Sequence, residues 1–595
     1  MVEKALRSVE GVRSVSVSLA GRSVLVEYDE RLVTPSQMQA AVSQAGYDMV
    51  VDQEASLEQL ERSAWRLQLR RTLWAWAFTI AACLLPHELA VVCAVVCIFL
   101  CARGFYVQAW RQCRAGLLGM DVLIALSTFI TCLAALLSPL IGMLFHAHTS
   151  TMIVSFVLTG KLLEERARTS ASQSIRRLMQ LAPRSARLST GEQVPLAAVC
   201  VGDMLEVRAG ERMPVDGVVT KASSFMDAQG AYVDESMMTG EPTPACKRVG
   251  DSLLAGTLLQ QGSLRMEARQ VGTATALARM IATVQQSQAS KAPVQRIADK
   301  AASVFVPVIA CLSLITFLLW ACVGHALGTA LVSAVSVLVI ACPCAMGLAT
   351  PAALMVGIGK AAEGGILIKD ATALERLRRL SHLVIDKTGT LTLPCAQVDF
   401  TQADTLSPEQ REQIKPTAKE AVRQLEDMGI VVHLMSGDKE EAVRHWAGEA
   451  CIPHWQAQAT GADKEALVRQ LQAEREVVGM AGDGINDTQA LAQADISIAM
   501  GGGTDVAMDV AQLTLTRGDL LAIPCAVRLS QRIVRCIRQN LFWAFIYNIV
   551  CIPLAAGLPL ALGFSLVITP SLAAALMALS SLSVLLNSLR LRIAA

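Results

Sequence analysis

Long apolar runs are the feature of this sequence that most limits how it can fold. A helix needs about 20 mostly apolar residues to cross a bilayer, and such runs recur along the chain. We interpret them as eight membrane spans, the first two of which share residues 73–109 on either side of Pro86. The other six lie in residues 120–142, 149–163, 304–323, 327–359, 541–558 and 560–586. The sequence therefore predicts an integral membrane protein with a bundle of helices.

The composition agrees with a membrane protein that also has large water-soluble parts. Of the 595 residues, 53% are hydrophobic and only 17% are charged, whereas soluble domains carry about 25% charged residues. The 52 basic residues balance the 51 acidic ones, so nucleic acid is not an expected partner, whereas membrane lipid is. The 17 cysteines do not follow the spacing of a disulfide framework, and we expect them in apolar or soft-metal roles.

The distribution of arginines predicts how the chain is oriented. Arginines flank the polar blocks and the ends of the spans that face them, whereas the opposite links, such as residues 145–148, carry no lysine or arginine. By the positive-inside rule, both polar blocks and both termini are cytoplasmic. The expected location is the inner (plasma) membrane of a bacterium. Oligomeric state is left open.

The two large polar blocks predict different folds. Within residues 166–298, short strands separated by glycine turns indicate a small β-rich domain over residues 186–270. Within residues 361–530, strands alternate with helices, which is typical of a parallel α/β sheet. The membrane helices are expected in residues 72–165 (spans one to four), 300–360 (spans five and six) and 531–590 (spans seven and eight).

Polar side chains follow three strands of the predicted α/β sheet, where such sheets bind their ligands. A single aspartate at a strand end is often only a turn or helix cap, but three such segments in one sheet indicate a phosphoryl site. The Asp386 carboxylate can attack phosphorus, carboxylates can hold Mg²⁺, and Lys464 is placed to meet a phosphate. The candidate residues are Asp386, Lys387 and Thr388, then Ser436, Gly437 and Asp438, then Asp483 and Asp487.

A second chemical motif, Cys342-Pro343-Cys344, lies inside the apolar run 327–359. Proline removes a helix hydrogen bond and kinks the segment, which frees backbone groups and turns both thiols inward. Soft thiolates select soft ions such as Cu(I), with Zn(II) as the main competitor. The alternative is that both cysteines are simply small apolar residues.

Taken together, these motifs resemble the heavy-metal P-type ATPases, in their Cu(I)-transporting subgroup. Residues 386–390 (DKTGT) look like the phosphorylation signature of the family's haloacid dehalogenase-like domain, and residues 239–242 (TGEP) resemble the loop of its actuator domain. The resemblance implies that ATP phosphorylates Asp386, that Asp483 binds Mg²⁺ beside it, and that Glu241 activates the water that hydrolyses the acyl phosphate.

The resemblance also implies a path for the transported ion. Its ligands in the membrane would be Cys342, Cys344, Tyr547, Asn548, Met577, Ser580 and Ser581. The zinc and cadmium pumps carry an acidic residue in the last span, and residues 560–589 contain none. Cu(I) would arrive from the cytosol at Met120, Glu164 and Asp299, although the two acids could equally be interfacial charges. A cytosolic copper chaperone is left open as a partner.

Two segments depart from the family pattern. Residues 1–52 resemble part of a ferredoxin-like heavy-metal-associated domain, but they contain no Cys-x-x-Cys pair. Only residues 393–414 separate Thr392 from Lys415, where the family inserts a nucleotide-binding domain with a His-Pro pair, and this chain has no His-Pro dipeptide. Segments below about 40 residues rarely fold alone.

The expected function is therefore ATP-driven export of Cu(I) through an aspartyl-phosphate. The alternatives are a membrane metal-binding protein that no longer pumps, an enzyme phosphorylated by a small donor such as acetyl phosphate, and a zinc or cadmium pump.

Overall fold

The fold is taken from a computed structural model of the chain. It describes residues 6–9, 11–18, 23–29, 32–44, 54–114, 119–141, 145–171, 183, 185–224, 230–235, 244–289, 293–323, 327–342, 344–394, 408–482, 487–501, 510–564 and 567–593. Of the predicted site residues, Glu241 and Asp483 lie outside this part, and the side chains of Cys344 and Asp299 are not described.

A small α/β unit comes first in the chain. Strand β1 (Val12–Ser18) pairs antiparallel with β2 (Ser23–Tyr28), and helix α1 (Pro35–Gln44) follows. Their buried apolar side chains form a core of their own, made of Leu6, Val15, Val33, Met38 and Val42.

Five helices follow. They are α2 (Glu54–Leu84), α3 (His87–Cys101), α4 (Arg103–Arg114), α5 (Met120–Ile141) and α6 (His148–Ala171). The predicted break at Pro86 is confirmed, because α2 ends at Leu84 and α3 begins at His87. The sequence prediction missed a second break at Ala102, where α3 and α4 meet at 64°.

The first polar block folds into short strands, as predicted. They are β3 (Ser185–Arg187), β4 (Gln193–Pro195), β5 (Met204–Arg208), β6 (Asp216–Ser223), β7 (Gly230–Asp234), β8 (Ala245–Arg248), β9 (Ser252–Leu253), β10 (Leu258–Gln261) and β11 (Ser263–Gln270). Four form a sheet in the order β5-β11-β6-β9, and three form a second in the order β10-β7-β8. Apolar side chains that alternate along these strands make one core.

Helix α7 (Ala276–Ala289) links the β-rich domain to the next helices. Buried Asp216 anchors its start, since its two carboxylate oxygens accept the backbone N–H of Ala255 at 2.7 Å and of Ala276 at 2.6 Å. A carboxylate at a helix N-terminus is favourable because it meets unpaired N–H groups.

Three more helices lead into the second polar block: α8 (Pro293–Cys322), α9 (Leu327–Ile340) and α10 (Cys344–Glu363). The apolar run 327–359 is therefore broken at the Cys-Pro-Cys motif, as the proline predicts. Leu277, Met280 and Val284 of α7 share an apolar core with α10, so the β-rich domain is joined to the helix that begins at this break.

The second polar block is an α/β domain built on a seven-stranded sheet. Its strands are β12 (Ile366–Ile368), β13 (His382–Asp386), β16 (Val431–Met435), β17 (His454–Gln456), β18 (Val478–Gly482), β19 (Ile496–Met500) and β20 (Leu513–Leu515), and the short pair β14 (Thr392–Pro394) and β15 (Glu412–Ile414) stands apart. The order is β12-β20-β19-β18-β13-β16-β17, and every pairing is parallel except β12 with β20. The predicted parallel sheet is confirmed, with one antiparallel edge.

Helices connect these strands. They are α11 (Ala371–Leu377), α12 (Pro408–Arg411), α13 (Ala418–Asp427), α14 (Glu440–Ala450), α15 (Gly461–Ala473) and α16 (Thr488–Gln493). Strands β18 and β19 are buried along their whole length, as expected for a parallel sheet covered on both faces.

The last helices are α17 (Ala522–Ala555), α18 (Leu558–Ala561) and α19 (Pro570–Ile593). The bounds of the last two predicted spans need correction. Helix α17 starts about 20 residues before 541, because it continues from the α/β domain, and α19 starts at Pro570 rather than at 560. The chain turns at Gly557, whose φ is 92° and where a Cβ would lie 2.7 Å from the Trp320 ring, a place that only glycine fits.

Within the described residues, four helical segments are long and apolar enough to cross a membrane, namely Met120–Pro139, Val304–Cys322, Leu327–Glu363 and Pro570–Arg592. The bent pair α3 and α4 makes a fifth if it is one span. Helices α2, α6 and α17 pack against them but carry charged residues within their length. Eight spans therefore stay a prediction.

Candidate phosphorylation site and metal pathway

Three neighbouring strands deliver the predicted phosphoryl residues to one edge of the α/β sheet. Asp386 is the last residue of β13, level with Met435 of β16 on one side and beside β18 on the other. Ser436 therefore follows β16 next to Asp386, and Gly482 ends β18 on the opposite side. The parallel register thus brings the three segments together, as the carboxyl ends of parallel strands must.

Lys464 is the cation at the centre of this edge. Its ammonium contacts Asp386 Oδ1 and lies 2.6 Å from Asp487 Oδ1. All three side chains are buried, with Lys464 only 5% exposed. Burial alone would lower the pKa of Lys464, but attraction to Asp386 and Asp487 and its hydrogen bonds to both raise this pKa above its usual value. Lys464 therefore stays charged between the two carboxyl groups.

Helix α15 positions Lys464 through a capping box. Thr460 Oγ1 accepts the backbone N–H of Asp463 at 3.3 Å, and Asp463 Oδ2 accepts the backbone N–H of Thr460 at 2.8 Å. This reciprocal pair fixes where the helix begins, and Lys464 lies in its first turn.

Lys387 points to a different set of acids. Its ammonium contacts Glu412 Oε2 of strand β15 and Asp438 Oδ2, and its side chain is 3% exposed. Thr392 Oγ1 also donates to Glu412 Oε2 at 2.9 Å. The segment after Asp386 is thus tied to strand β15. Sequence reasoning missed Glu412, because the segment around it resembled only the remnant of an inserted domain.

A third buried lysine, Lys415, which sequence reasoning missed, holds the loop after Asp386. Lys415 Nζ donates to the carbonyl of Gly389 at 2.7 Å and to that of Gly518 at 2.9 Å. Gly389 has φ of 73°, which a side chain would disfavour. The loop therefore turns sharply, and it leaves Thr388 exposed.

The described side chains fit Mg²⁺ and phosphate. Carboxylates of Asp386 and Asp487 converge on one cation, and carboxylate oxygens are the ligands that Mg²⁺ prefers. Thr390 Oγ1 is buried and makes no hydrogen bond within the described part of the chain, so a donor is free for an anion. Gly437 is exposed beside buried Ser436. Asp483 lies outside the described residues, and its role as a Mg²⁺ ligand stays a prediction.

Five of the predicted metal ligands line one small cavity between the membrane helices. Its lining brings together residues from the break between α9 and α10, from α17 and from α19. The lining residues are Ile340, Cys342, Ala345, Met346, Ala544, Tyr547, Asn548, Cys551, Leu576, Met577 and Ser580. None of these described residues is charged. The cavity therefore presents sulfur atoms and neutral oxygens, the donors that suit a soft monovalent ion.

Sequence reasoning missed two sulfur side chains of this cavity. Met346 on α10 is 2% exposed, and Cys551 lies one helical turn beyond Tyr547 on α17. The i, i+4 spacing of Tyr547 and Cys551 places both on one helix face, and this spacing could have predicted that Cys551 lines the cavity. Ser581 is buried but is not among the lining residues. Of the two predicted serines, Ser580 therefore lines the cavity.

The residues predicted to receive the metal lie on three helices. Met120 begins α5, Glu164 lies in α6 and Asp299 lies in α8. Beside Met120, the buried Asp121 is paired with Lys161 at 3.1 Å and accepts a hydrogen bond from Gln112 at 3.1 Å. Asp121 was not singled out from the sequence. Its charge is balanced by Lys161, so it acts as an anchor between α5 and α6.

The TGEP loop with Glu241 lies outside the described residues, but its flanks are described. It connects β7 to β8, which pair antiparallel with Val233 opposite Ala245. Lys247 Nζ pairs with Glu235 Oε1 at 2.9 Å at the base of this hairpin. Glu241 thus belongs to the segment of the chain that connects β7 with β8.

Family models match three parts of the chain. The P-type ATPase actuator domain matches residues 180–285, the haloacid dehalogenase-like hydrolase matches residues 396–495, and the heavy-metal-associated domain matches residues 1–48. These matches coincide with the β-rich domain, the α/β domain and the N-terminal unit. The chain thus carries the domains of a cation pump.

Curated relatives match most of the chain. The probable copper-transporting ATPase PacS of Synechococcus elongatus is 34% identical over 99% of this chain and 97% of its own length. The copper-exporting P-type ATPase of Legionella pneumophila is 37% identical over 82% of both chains. This chain belongs to the copper-transporting P-type ATPases.

A solved structure of a zinc-transporting PIB-type ATPase in the E2.Pi state has the same fold as this P-type ATPase. The TM-score is 0.50 at 23% identity, and the match covers 89% of this chain and 99% of the other. The predicted fold class is thereby confirmed: a helical membrane bundle with a β-rich actuator domain and a haloacid dehalogenase-like domain.

The ATPase differs from its relatives by an internal gap. The alignment with PacS runs over 733 positions, whereas the chain has 595 residues, so at least 138 positions of the relative face gaps. In the structure, β14 and β15 pair directly, with Thr392 opposite Ile414 and Pro394 opposite Glu412. Since only residues 395–411 connect them, no nucleotide-binding domain of the usual size fits between these strands.

Proposed function

We propose that this protein exports Cu(I) from the cytosol, driven by phosphorylation of Asp386. The observation that carries the proposal is the uncharged, sulfur-lined cavity at the Cys-Pro-Cys break. A zinc or cadmium ion would need more negative charge from its ligands than this set offers, whereas Cu(I) is matched by thiolate and thioether donors. Cys344, whose side chain is not described, is the predicted partner of Cys342.

The phosphoryl chemistry uses the strand-end residues. The Asp386 carboxylate attacks the terminal phosphorus of ATP, the bond to the ADP oxygen breaks, and an aspartyl-phosphate forms. Lys464 offsets negative charge at the attacked group. Asp386, Asp487 and the predicted Asp483 would hold Mg²⁺, which would supply positive charge to the phosphoryl oxygens. Glu241 then activates the water that hydrolyses the acyl phosphate.

Coupling between the two sites follows from the packing of α7 and α10. The actuator domain is anchored to α7 through Asp216, α7 shares a core with α10, and α10 begins at the Cys-Pro-Cys break. Movement of the actuator domain on phosphorylation is therefore transmitted to the helix that carries the metal ligands.

Membrane vesicles that contain the full chain provide the test. We expect Cu(I)-stimulated phosphate release and Cu(I) uptake by inside-out vesicles, with both lost in Asp386→Asn and in Cys342→Ala/Cys344→Ala. The exposed Asp427 of the same domain provides the control, because Asp427→Asn should leave both activities unchanged. Cu(I)-dependent phosphate release that persists in Asp386→Asn would refute the proposal.

The direct pairing of β14 with β15 favours a second candidate, a metal-binding membrane protein that ATP does not drive. Labelling with γ-³²P-ATP and with ³²P-acetyl phosphate separates the two. An acid-stable label on Asp386 from ATP rejects the second candidate. A label from acetyl phosphate alone identifies a small phosphoryl donor, and no label from either donor supports the second candidate.

A further inference from the structure

Helix α3 carries three cysteines at helical spacing, none of which belongs to the transport cavity. Cys93, Cys97 and Cys101 recur every fourth residue, so they lie on one face of the helix. The opposite face is exposed in the bundle, with Val92 at 57% and Phe99 at 71% exposure, as expected of a surface toward lipid. The cysteine face therefore points into the bundle.

Two of these cysteines form a buried pair. Cys97 is 0% exposed and Cys101 is 3% exposed, and both are free thiols. Their i, i+4 spacing places the two side chains next to each other on one face of the helix. The apolar cluster that contains them also contains Cys342 and Met577 of the transport cavity, and Met120 packs against it. The pair thus lies within the core that surrounds the metal pathway.

A positive charge lies at the end of helix α3 where this pair is. The Nη1 atom of Arg71 on α2 lies 3.8 Å from where a Cβ on Gly104 would be, three residues beyond Cys101. The chain bends by 64° at this point. Arginines 103, 111 and 114 on α4 mark this end of α3 as cytoplasmic. The pair is therefore near the surface from which the metal comes.

We propose that Cys97 and Cys101 form a second Cu(I) site, which receives the ion before it reaches the Cys-Pro-Cys cavity. Cu(I) binds the two sulfurs and displaces both thiol protons, with no change of oxidation state. Bonds of about 2.3 Å to each sulfur span at most about 4.6 Å, which suits thiols on residues i and i+4 whose Cβ atoms are about 5–6 Å apart.

Charge supports the same conclusion. Two thiolates and one Cu(I) carry a net negative charge, which is costly in a membrane unless a cation is close. Arg71, which lies against Gly104 at the same end of α3, supplies that cation. The choice of Cu(I) as the ligand rests on the proposed function, whereas the existence of a two-sulfur site rests on the pair itself.

Copper counting on the full chain in detergent or nanodiscs tests the site. The probe is tetrakis(acetonitrile)copper(I), added without oxygen in competition with a chromophoric Cu(I) chelator. We expect Cys97→Ala/Cys101→Ala to lose one Cu(I) per chain and Cys342→Ala/Cys344→Ala to lose its own Cu(I) separately. The control Cys83→Ala/Cys311→Ala removes two exposed membrane cysteines and should lose none.

X-ray absorption on Cys342→Ala/Cys344→Ala gives an independent readout. The copper that remains should have two sulfur neighbours, and this signal should vanish when Cys97 and Cys101 are also replaced. Unchanged copper content in Cys97→Ala/Cys101→Ala, or no copper left in Cys342→Ala/Cys344→Ala, would overturn the inference. If Asp386 is not phosphorylated but Cu(I) still binds at Cys97 and Cys101, the result contradicts the proposed pump and leaves the proposed Cu(I) site standing.

Because a buried double replacement can unfold a protein, Cys97→Ser/Cys101→Ser is the second variant. Serine keeps the size and hydrogen bonding of the pair but removes the soft ligands. It should bind one Cu(I) fewer than the unaltered chain while its thermal unfolding temperature stays close to that of the unaltered chain. A serine variant that is stable and keeps its copper would also overturn the inference.

Discussion

Gly482 leaves the space through which Asp487 reaches the phosphorylation site. A Cβ on Gly482 would lie 2.5 Å from Asp487 Oδ2 and 3.1 Å from Asp487 Cβ, closer than packed atoms allow. Gly482→Ala should therefore displace Asp487 from Lys464 and lower the phosphoenzyme level by roughly tenfold, equivalent to about 1.4 kcal/mol. Quantitative ³²P labelling of Asp386 measures this effect.

Gly448→Ala on helix α14 is the matched control. Within the described part of the chain, no atom lies within 4 Å of a Cβ at that position, and alanine favours a helix more than glycine does. Labelling of this variant should equal that of the unaltered chain. Full labelling of Gly482→Ala would show that phosphorylation of Asp386 does not depend on the present position of Asp487.

At the scale of single residues, His382, His433 and His454 lie side by side on β13, β16 and β17. They predict a dependence of stability on pH. Burial, together with His382 and His454, lowers the pKa of His433 to about 4, and His433 Nε2 lies 3.0 Å from His382 Nδ1. The unfolded chain binds this proton with a pKa of about 6.5. The folded chain should therefore lose stability as pH falls from about 6.5 to about 4, by an amount on the order of 1–3 kcal/mol.

Thermal unfolding of the purified protein between pH 7.5 and pH 4.5 measures this loss. His433→Gln should flatten the pH dependence, because it removes the group whose protonation opposes folding. His445→Gln, at a partly exposed histidine on α14, serves as the control and should retain the slope. An equal slope in His433→Gln and in the unaltered chain would contradict the prediction.

At the scale of elements, the start of helix α15 decides where Lys464 lies. Thr460→Ala removes one half of the capping box and should cost about 1 kcal/mol of unfolding free energy. Because Lys464 lies in the first turn, the rate of phosphorylation should also fall. Denaturant unfolding and rapid-quench labelling measure the two effects, and Thr460→Ser should restore both. Unaltered labelling kinetics in Thr460→Ala would show that this cap does not affect phosphorylation of Asp386.

At the scale of the whole molecule, the direct β14–β15 pairing predicts unusual donor use. Because only residues 395–411 connect β14 and β15, no nucleotide-binding domain of the usual size fits there to bind the adenine, and ATP should gain little affinity beyond that of its phosphates. Half-maximal labelling of Asp386 should therefore need similar concentrations of ATP and acetyl phosphate. Titration of both labelled donors tests this, and a preference for ATP of more than about tenfold would require a nucleotide site elsewhere in the molecule.

The sequence was sufficient to predict the chemistry at the sheet edge. Strand ends follow from short apolar runs, and parallel pairing brings Asp386, Ser436 and Gly482 to one edge whatever the details of packing. The proline between Cys342 and Cys344 likewise determines a break in the helix, since it removes a backbone donor. These features depend on local sequence and on general rules of topology.

Only the tertiary structure decided which side chains meet. The pairing of Lys387 with Glu412 and of Lys415 with Gly389, the addition of Met346 and Cys551 to the cavity, and the burial of Cys97 and Cys101 all depend on how helices and loops are rotated against one another. Helical spacing tells which residues share a face, but the partner of that face is chosen by packing across the whole molecule. The motifs thus identify the chemistry, and packing determines which residues take part in it.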